Sequence, residues 1–310
     1  MKWSYSSGRI FRACQRQWYF KNIVGLGQVK KDKARRAVYL LSKADSVAAW
    51  RGRLVDDIIS EEVVPRINQG VDMTLGDIIK LAKSRYDQQL AFARANSRHD
   101  LTLDIKAAGG DFALFKDTVT DLEADKAWHE IDTALRNLFS CDLIKEIMKT
   151  ADFLISQKTL QYTIFEGATM VAVPDLVAFH DEKPPTIIDW KVHAQGTHDA
   201  WLQLALYALA LERCKPHFNW EIFVEEELHR AGAMRLIEFQ LLLGTVREHQ
   251  LDLDHFDMAE EFMNSSSQEM INLTDGRKHK QLKPEDFLPA RFAETCASCN
   301  FKPACWEMHQ

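Results

Sequence analysis

Residues 165–211 read FEGATMVAVPDLVAFHDEKPPTIIDWKVHAQGTHDAWLQLALYALAL. The apolar, valine-rich run at 169–179 predicts a buried strand that carries Asp175. A turn with two prolines follows, and residues 186–192 then predict a second short strand that holds Asp189-Trp190-Lys191. The fold should therefore be organised around two neighbouring strands that bring two acidic side chains together.

Two carboxylates in such a core need a chemical reason, because burying an unpaired charge is strongly unfavourable. Asp175 and Asp189 supply hard oxygen ligands of the kind that hold Mg²⁺ or Mn²⁺. Lys191 lies two residues after Asp189 and thus on the same strand face, where its ammonium can reach an attacking water or a scissile phosphate. The three residues are predicted to be catalytic, with both aspartates binding the metal.

The spacing of these residues resembles a known active site. Asp175, thirteen residues and then Asp189-x-Lys191 is similar to the active site of the PD-(D/E)XK nuclease superfamily. The next predicted helix adds Gln203-x3-Tyr207, which resembles the QxxxY motif of the RecB-like branch. The cysteines near the C-terminus narrow the resemblance to members with an iron–sulfur cluster, such as CRISPR-associated RecB-like exonucleases and AddB nuclease domains.

The resemblance implies a fold, a reaction and further site residues. The fold class would be α/β, a restriction-endonuclease-like core whose mixed central sheet is flanked by helices, with a helical insertion and a C-terminal Fe–S cap. The reaction would be hydrolysis of DNA phosphodiesters with Mg²⁺ or Mn²⁺, by an exonuclease acting in repair, recombination or defence. The Trp190 carbonyl would be a further metal ligand, and Gln203 and Tyr207 would support substrate placement.

The C-terminal segment contains Cys296-x2-Cys299-x5-Cys305, one cysteine short of a four-ligand site. Cys14 is the candidate fourth ligand, which would join the two ends of the chain. Spacing alone does not separate zinc from an iron–sulfur cluster. The resemblance favours 4Fe-4S, because the opening residues 4–20, SYSSGRIFRACQRQWYF, are similar to the N-terminus of the iron–sulfur nucleases.

A predicted helix at 44–63 contains Gly52-Arg-Leu-Val-Asp56. RecB-like relatives show a metal-binding histidine where this chain has Asp56. Asp56 is therefore either the third metal ligand or a plain surface carboxylate, and the sequence leaves both open. Its neighbour Asp57 lies four residues from Arg53, with which it could pair.

The charge distribution indicates a nucleic-acid partner although the net charge is −6. Residues 1–53 hold 13 Lys and Arg but only two Asp and no Glu, whereas the remainder is acidic. In this segment a helix predicted from about residue 7 carries Arg9, Arg12 and Arg16 along one stripe. The stripe would contact DNA phosphates; the alternative is a solvated basic face without a partner.

Four regions are predicted along the 310 residues. Residues 1–60 form the basic N-terminal helices, 61–158 the helical insertion, 159–245 the core sheet with the QxxxY helix, and 246–310 the C-terminal helix and cysteine cap. Within the third region, residues 218–227 and 233–239 predict a hairpin that extends the sheet.

Location and partners follow from what the sequence lacks. No apolar run is long enough for a membrane span and no signal peptide is recognisable, which predicts a cytoplasmic protein whose cysteines stay reduced. A nucleotide-binding GxxxxGK[ST] motif is also missing, so any helicase would be a separate partner. The alternative function is a DNA-binding iron–sulfur scaffold subunit with an idle nuclease site.

Overall fold

The computed structural model describes residues 1–27, 30–108, 112–192, 199–214 and 228–307. The strands are β1 (Lys2–Trp3), β2 (Phe153–Ile155), β3 (Leu160–Phe165), β4 (Ala168–Ala172), β5 (Leu176–His180), β6 (Lys183–Lys191), β7 (Arg235–Gln240) and β8 (Thr245–His249). The helices are α1 (Tyr5–Ala13), α2 (Gln15–Tyr19), α3 (Lys33–Ser42), α4 (Val47–Ile58), α5 (Val64–Asn68), α6 (Leu75–Ala95), α7 (Asp121–Ser140), α8 (Asp142–Thr150), α9 (Ala200–Arg213), α10 (Leu253–Thr274), α11 (Ala293–Ala297) and α12 (Lys302–Glu307). Five-residue π-helical turns, Phe20–Val24 and Ile59–Val63, extend α2 and α4.

The strands form two mixed sheets. The larger has the order β2-β5-β6-β7-β8, with β6 and β7 parallel and the other neighbours antiparallel. The smaller has the order β1-β4-β3, in which β1 runs parallel to β4. Because β6 lies at the centre of the larger sheet, both of its faces are covered and only a residue with a specific partner can be polar there.

Each face of the larger sheet packs against its own helical layer. Ile188 and Trp190 of β6 belong to a core shared with α4 to α8. Ile187, on the opposite face, belongs to a second core that includes α9, α10, the smaller sheet and the N-terminal helices. Side chains alternate along a strand, so Asp189 and Lys191 point to the same side as Ile187, toward α9.

Local sequence explains the helices that position the site. In α4 the apolar residues Trp50, Leu54 and Ile58 recur every four positions and are buried, while the Ser46 side chain accepts the N–H of Ala49 at the N-terminus. In α9 nearly every residue is apolar, and residues 204–211 are buried between the two sheets.

The predicted α/β class with mixed sheets flanked by helices is confirmed. Two predicted strands are wrong in detail. Residues 169–179 do not form one strand, because Pro174-Asp175 lies between β4 and β5, which belong to different sheets. The predicted hairpin is also wrong in its pairing, since β6 and β8 occupy both edges of β7; residues 218–227 themselves lie outside the described residues.

One helical prediction also needs correction. The N-terminal helix does not run through residue 14, because Cys14 has an extended backbone (φ −162°) that ends α1 and starts α2. The helices of residues 61–158, predicted as an insertion, pack on one face of the larger sheet, and β2 at the end of this range is a strand of that sheet. Among the described residues no helix has the length and apolarity to cross a membrane.

Candidate active site

The predicted catalytic residues converge at the ends of two adjacent strands. Asp175 directly precedes β5, and Asp189 and Lys191 are the last residues of β6 that face α9. Asp56 approaches the same end of β6 from α4, close enough to Asp189 and Lys191 for their charges to affect its pKa. We call these three carboxylates, together with Lys191, the carboxylate site.

Asp175 is held by hydrogen bonds on both of its carboxylate oxygens. The backbone N–H of Trp190 donates to Oδ2 at 3.0 Å, and Nε2 of Gln157 donates to Oδ1 at 3.1 Å. The Asp175 carbonyl accepts from the Ser156 hydroxyl at 2.6 Å. The residue therefore has a defined orientation although it lies in an irregular segment between two sheets.

A chain of contacts links Asp189 to α9. Nζ of Lys191 lies 2.5 Å from Oδ2 of Asp189 and donates to Oε1 of Gln203 at 3.1 Å. Nε2 of Gln203 in turn donates to the Tyr207 hydroxyl at 2.6 Å. Gln203 and Tyr207 thus orient the lysine together, because residues four apart lie on one helical face.

The electrostatics of the site reflect carboxylates crowded in a dry environment. Burial, followed by the neighbouring carboxylates, raises the pKa of Asp175 well above its usual range, and burial, Asp57 and Asp189 raise the pKa of Asp56 to about 7. Burial also raises the pKa of Asp189, although Lys191 opposes this. For Lys191, burial acts to lower the pKa, but Asp189 and Asp175 outweigh it and the pKa is raised.

The donor set fits a hard divalent cation. Asp189 is fully buried, and its Oδ1 has no hydrogen-bond partner among the described residues, which is costly unless a positive charge compensates it. The carboxylates are not yet arranged as a complete set of metal ligands. Within the described residues, no three His, Cys, Asp or Glu side chains are placed to hold a metal ion. Asp189 instead forms an ion pair with Lys191, and Asp175 accepts two N–H groups.

The predicted cysteine ligands also come together, at the other end of α1. Cys14, Cys296, Cys299 and Cys305 line one small cavity, together with Phe20 and Phe301 among others. We call it the cysteine pocket. Cysteine thiolates are the ligands that both zinc ions and iron–sulfur clusters use, so the shared cavity is compatible with either.

Backbone N–H groups point at two of these sulfurs. The Gln17 N–H donates to Sγ of Cys14 at 3.4 Å, and the Phe301 N–H interacts with the Cys299 sulfur. Burial is the larger influence and raises the pKa of both thiols, while the N–H groups oppose it. Such donors are what a thiolate ligand in an apolar pocket requires.

The basic stripe is only partly available to a ligand. Arg12 donates to Glu269 at 3.1 Å and to the Ser265 hydroxyl at 2.9 Å, both on α10, and Arg16 donates to the Phe287 carbonyl at 3.0 Å. Arg9 is exposed, with its guanidinium over the Tyr5 ring. The predicted pair of Arg53 with Asp57 is replaced by an ion pair between Arg53 and Asp45.

Sequence reasoning missed three polar residues around the site. Tyr5 is buried and donates to the Asp199 carbonyl at 3.3 Å. Burial raises the pKa of its hydroxyl, and the charges of Lys191 and Asp189 have smaller, opposing effects on it. Glu238 is fully buried on β7 in register with Asp189, and Gln157 binds Asp175. A carboxylate inside the apolar run of β7 was a usable signal for Glu238, whereas Tyr5 and Gln157 had none.

A family model of the PD-(D/E)XK nuclease superfamily matches residues 2–306. The matched range includes the carboxylate site and the cysteine pocket. A search of curated proteins returns no match.

Proposed function

The chain belongs to the PD-(D/E)XK nuclease superfamily, and from this premise we propose that it is a Mg²⁺- or Mn²⁺-dependent DNA exonuclease. Membership indicates a nuclease that acts on nucleic acid. The observation that carries the proposal is the contact network in which Asp175, Asp189 and Lys191 meet at the ends of adjacent strands with Gln203 behind the lysine. An intact, mutually oriented set disfavours the alternative of an idle scaffold.

Asp175, Asp189 and the Trp190 carbonyl would hold the cation, with Asp56 as a further carboxylate ligand. A bound divalent cation would polarise the scissile phosphate and lower the pKa of the attacking water. Burial raises the pKa values of all three carboxylates, and repulsion from neighbouring carboxylates adds to this for Asp175 and Asp56. A bound cation would offset both effects, so the site favours cation binding.

Lys191 supplies the second positive charge of the site. It would orient the attacking water or accept its proton, and it would offset the negative charge that develops on the phosphate oxygens. Its ion pair with Asp189 and its hydrogen bond to Gln203, which in turn donates to Tyr207, fix the position of the ammonium. Such preorganised charge is usually worth about 10²–10³-fold in rate.

We further propose that the cysteine pocket holds a 4Fe-4S cluster bound by Cys14, Cys296, Cys299 and Cys305. The shared cavity and the N–H groups directed at Cys14 and Cys299 support this assignment. The cluster would be structural, since the pocket is separated from the carboxylate site by the length of α1. A helicase or another repair or defence subunit would supply any unwinding.

The test uses anaerobically purified protein and end-labelled single- and double-stranded DNA, with Mg²⁺, Mn²⁺ or EDTA. We expect the protein to release short products from DNA ends only when a divalent cation is present, and to leave closed circular DNA uncut. Asp189→Asn is the matched control, because it keeps the size of the side chain but removes its charge. Cleavage that is unaffected by EDTA or by this substitution, or no cleavage with either cation, would refute the proposal.

A further inference from the structure

Two residues other than glycine have a positive φ within the described part of the chain, Gln157 at 52° and Asp275 at 46°. The positive φ of Asp275 is explained by its position at the end of a helix. It ends α10 in the left-handed conformation that commonly terminates helices, its N–H donates to the Ile271 carbonyl at 2.7 Å, and aspartate tolerates this conformation better than most residues. Gln157 lies in the link between β2 and β3 and has no such explanation.

Gln157 and its neighbour Ser156 instead form hydrogen bonds with the Pro174-Asp175 segment. The Gln157 N–H donates to the Pro174 carbonyl at 3.1 Å, and the Gln157 amide donates to Oδ1 of Asp175 at 3.1 Å. Ser156 adds the hydroxyl bond to the Asp175 carbonyl. Three hydrogen bonds from two consecutive residues thus fix the point at which the chain leaves one sheet and enters the other.

The contact fixes the carboxylate plane of Asp175 because the two donors approach different oxygens. The Trp190 N–H belongs to β6, whereas the Gln157 amide comes from the opposite side, at the end of β2. An amide can do this without adding negative charge to a site that already holds Asp56 and Asp189. Each oxygen of Asp175 keeps a second lone pair for another ligand.

We propose that Gln157 is a positioning residue of the nuclease site, whose strained backbone is kept so that its amide can orient Asp175; this rests on the proposed function. Glycine would adopt the same backbone conformation without strain, but it would remove the amide. Strain of this kind persists where the surrounding structure enforces it and a functional contact depends on it.

The test compares Gln157→Gly with Gln157→Ala, and uses Asp275→Gly as the matched control for strain relief away from the site. Both variants at position 157 lose the amide, but only the glycine relieves the backbone. We expect Gln157→Gly to melt about 1–3 °C above Gln157→Ala. Both should lower kcat by about 10- to 100-fold with an unchanged KM for DNA, because a misplaced catalytic group slows chemistry without weakening substrate binding. Asp275→Gly should cleave like the wild type.

A second readout does not depend on cleavage. The rise in melting temperature on adding Mg²⁺ should be smaller for both Gln157 variants than for the wild type, because Asp175 is no longer held in place. If the wild type does not cleave DNA at all, the proposed function fails and this thermal shift alone decides the role of Gln157. Wild-type kcat and a wild-type Mg²⁺ shift in both variants would make Gln157 a turn residue only.

Discussion

The carboxylate site and the cysteine pocket are both assembled from distant parts of the sequence, but they are built differently. Asp189 is fully buried on the central strand of the larger sheet, and its neighbours orient one another by hydrogen bonds. Three of the cysteines lie on or beside α11 and α12, helices of five and six residues with exposed Phe292 and Trp306 nearby. The first region lies in the sheet core, whereas the second is formed by two short helices whose sulfurs lie at the edge of the core, where a bound metal would tie them to Cys14.

Helix α1 connects the two regions. Tyr5, in the first turn of α1, lies close enough to Asp189 and Lys191 for their charges to affect its pKa. Cys14, which caps the C-terminus of α1, lines the cysteine pocket. At 1.5 Å per residue, the nine residues of α1 span about 14 Å from the Tyr5 end to the Cys14 end. This distance lets the two be tested separately by substitution.

The largest effect is expected at Lys191. Lys191→Ala should reduce single-turnover cleavage by about 10²–10³-fold, because it removes the charge placed next to the reacting phosphate. It also breaks a buried ion pair, so the protein without added cation should melt lower, and Mg²⁺ should restore much of the loss. Iron content should stay at the wild-type level. Cleavage within twofold of the wild type would exclude Lys191 from catalysis.

A substitution in the cysteine pocket should affect metal content and stability more than cleavage, the reverse of the pattern expected for Lys191→Ala. Cys299→Ser should lose the metal, about four irons per chain for a 4Fe-4S cluster, and the melting temperature should fall because the ligand ties Cys14 to the C-terminal helices. Cleavage by the remaining folded protein should fall less than in Lys191→Ala. Iron and zinc analysis with calorimetry checks this. One zinc per chain and no iron in the wild type would mean that the pocket binds zinc and not a cluster. If the wild type holds no metal and Cys299→Ser melts at the same temperature, the four cysteines are packing residues without a ligand role.

The carboxylate site should make the stability of the folded protein depend on pH, because Asp56 binds a proton near neutral pH. The pKa of Asp56 is raised to about 7 from its usual value near 4, so the folded protein binds a proton more tightly than the unfolded chain does. Without divalent cations, stability should therefore decrease as pH rises from about 4 to 7. Thermal melts with EDTA should show this slope, Asp56→Asn should flatten it, and Mg²⁺ should oppose it at pH 7. Equal slopes for wild type and Asp56→Asn would contradict the environment assigned to Asp56.

The smallest effect concerns the surface of α1 between the two regions. Arg9→Ala should weaken binding to every DNA sequence alike and reduce the slope of log K against log salt by about one, if Arg9 contacts one phosphate. Arg12→Ala is the matched control, because Arg12 already pairs with Glu269. Binding is measured by titration at several salt concentrations with catalytically inactive Asp189→Asn protein. An unchanged slope for Arg9→Ala would assign its charge to solvent.

Sequence predicted the parts that depend on local periodicity. Asp189 and Lys191 share a strand face, and Gln203 and Tyr207 share a helix face. These four residues therefore come together once β6 packs against α9. The break at Pro174 was missed because the apolar run continues across it into another sheet. The position of Asp56 depends on how α4 packs against the end of β6, and the contact of Gln157 depends on a strained turn; neither leaves a pattern in the sequence.

One measurement addresses both regions at once, an anomalous-difference map from crystals grown anaerobically with Mn²⁺ and measured at the manganese and iron absorption edges. We predict manganese between Asp175 and Asp189, within coordination distance of the Trp190 carbonyl, and iron enclosed by Cys14, Cys296, Cys299 and Cys305. Manganese bound elsewhere, with the Asp189–Lys191 ion pair unchanged, would contradict the assignment of the carboxylate site as the metal-dependent nuclease centre.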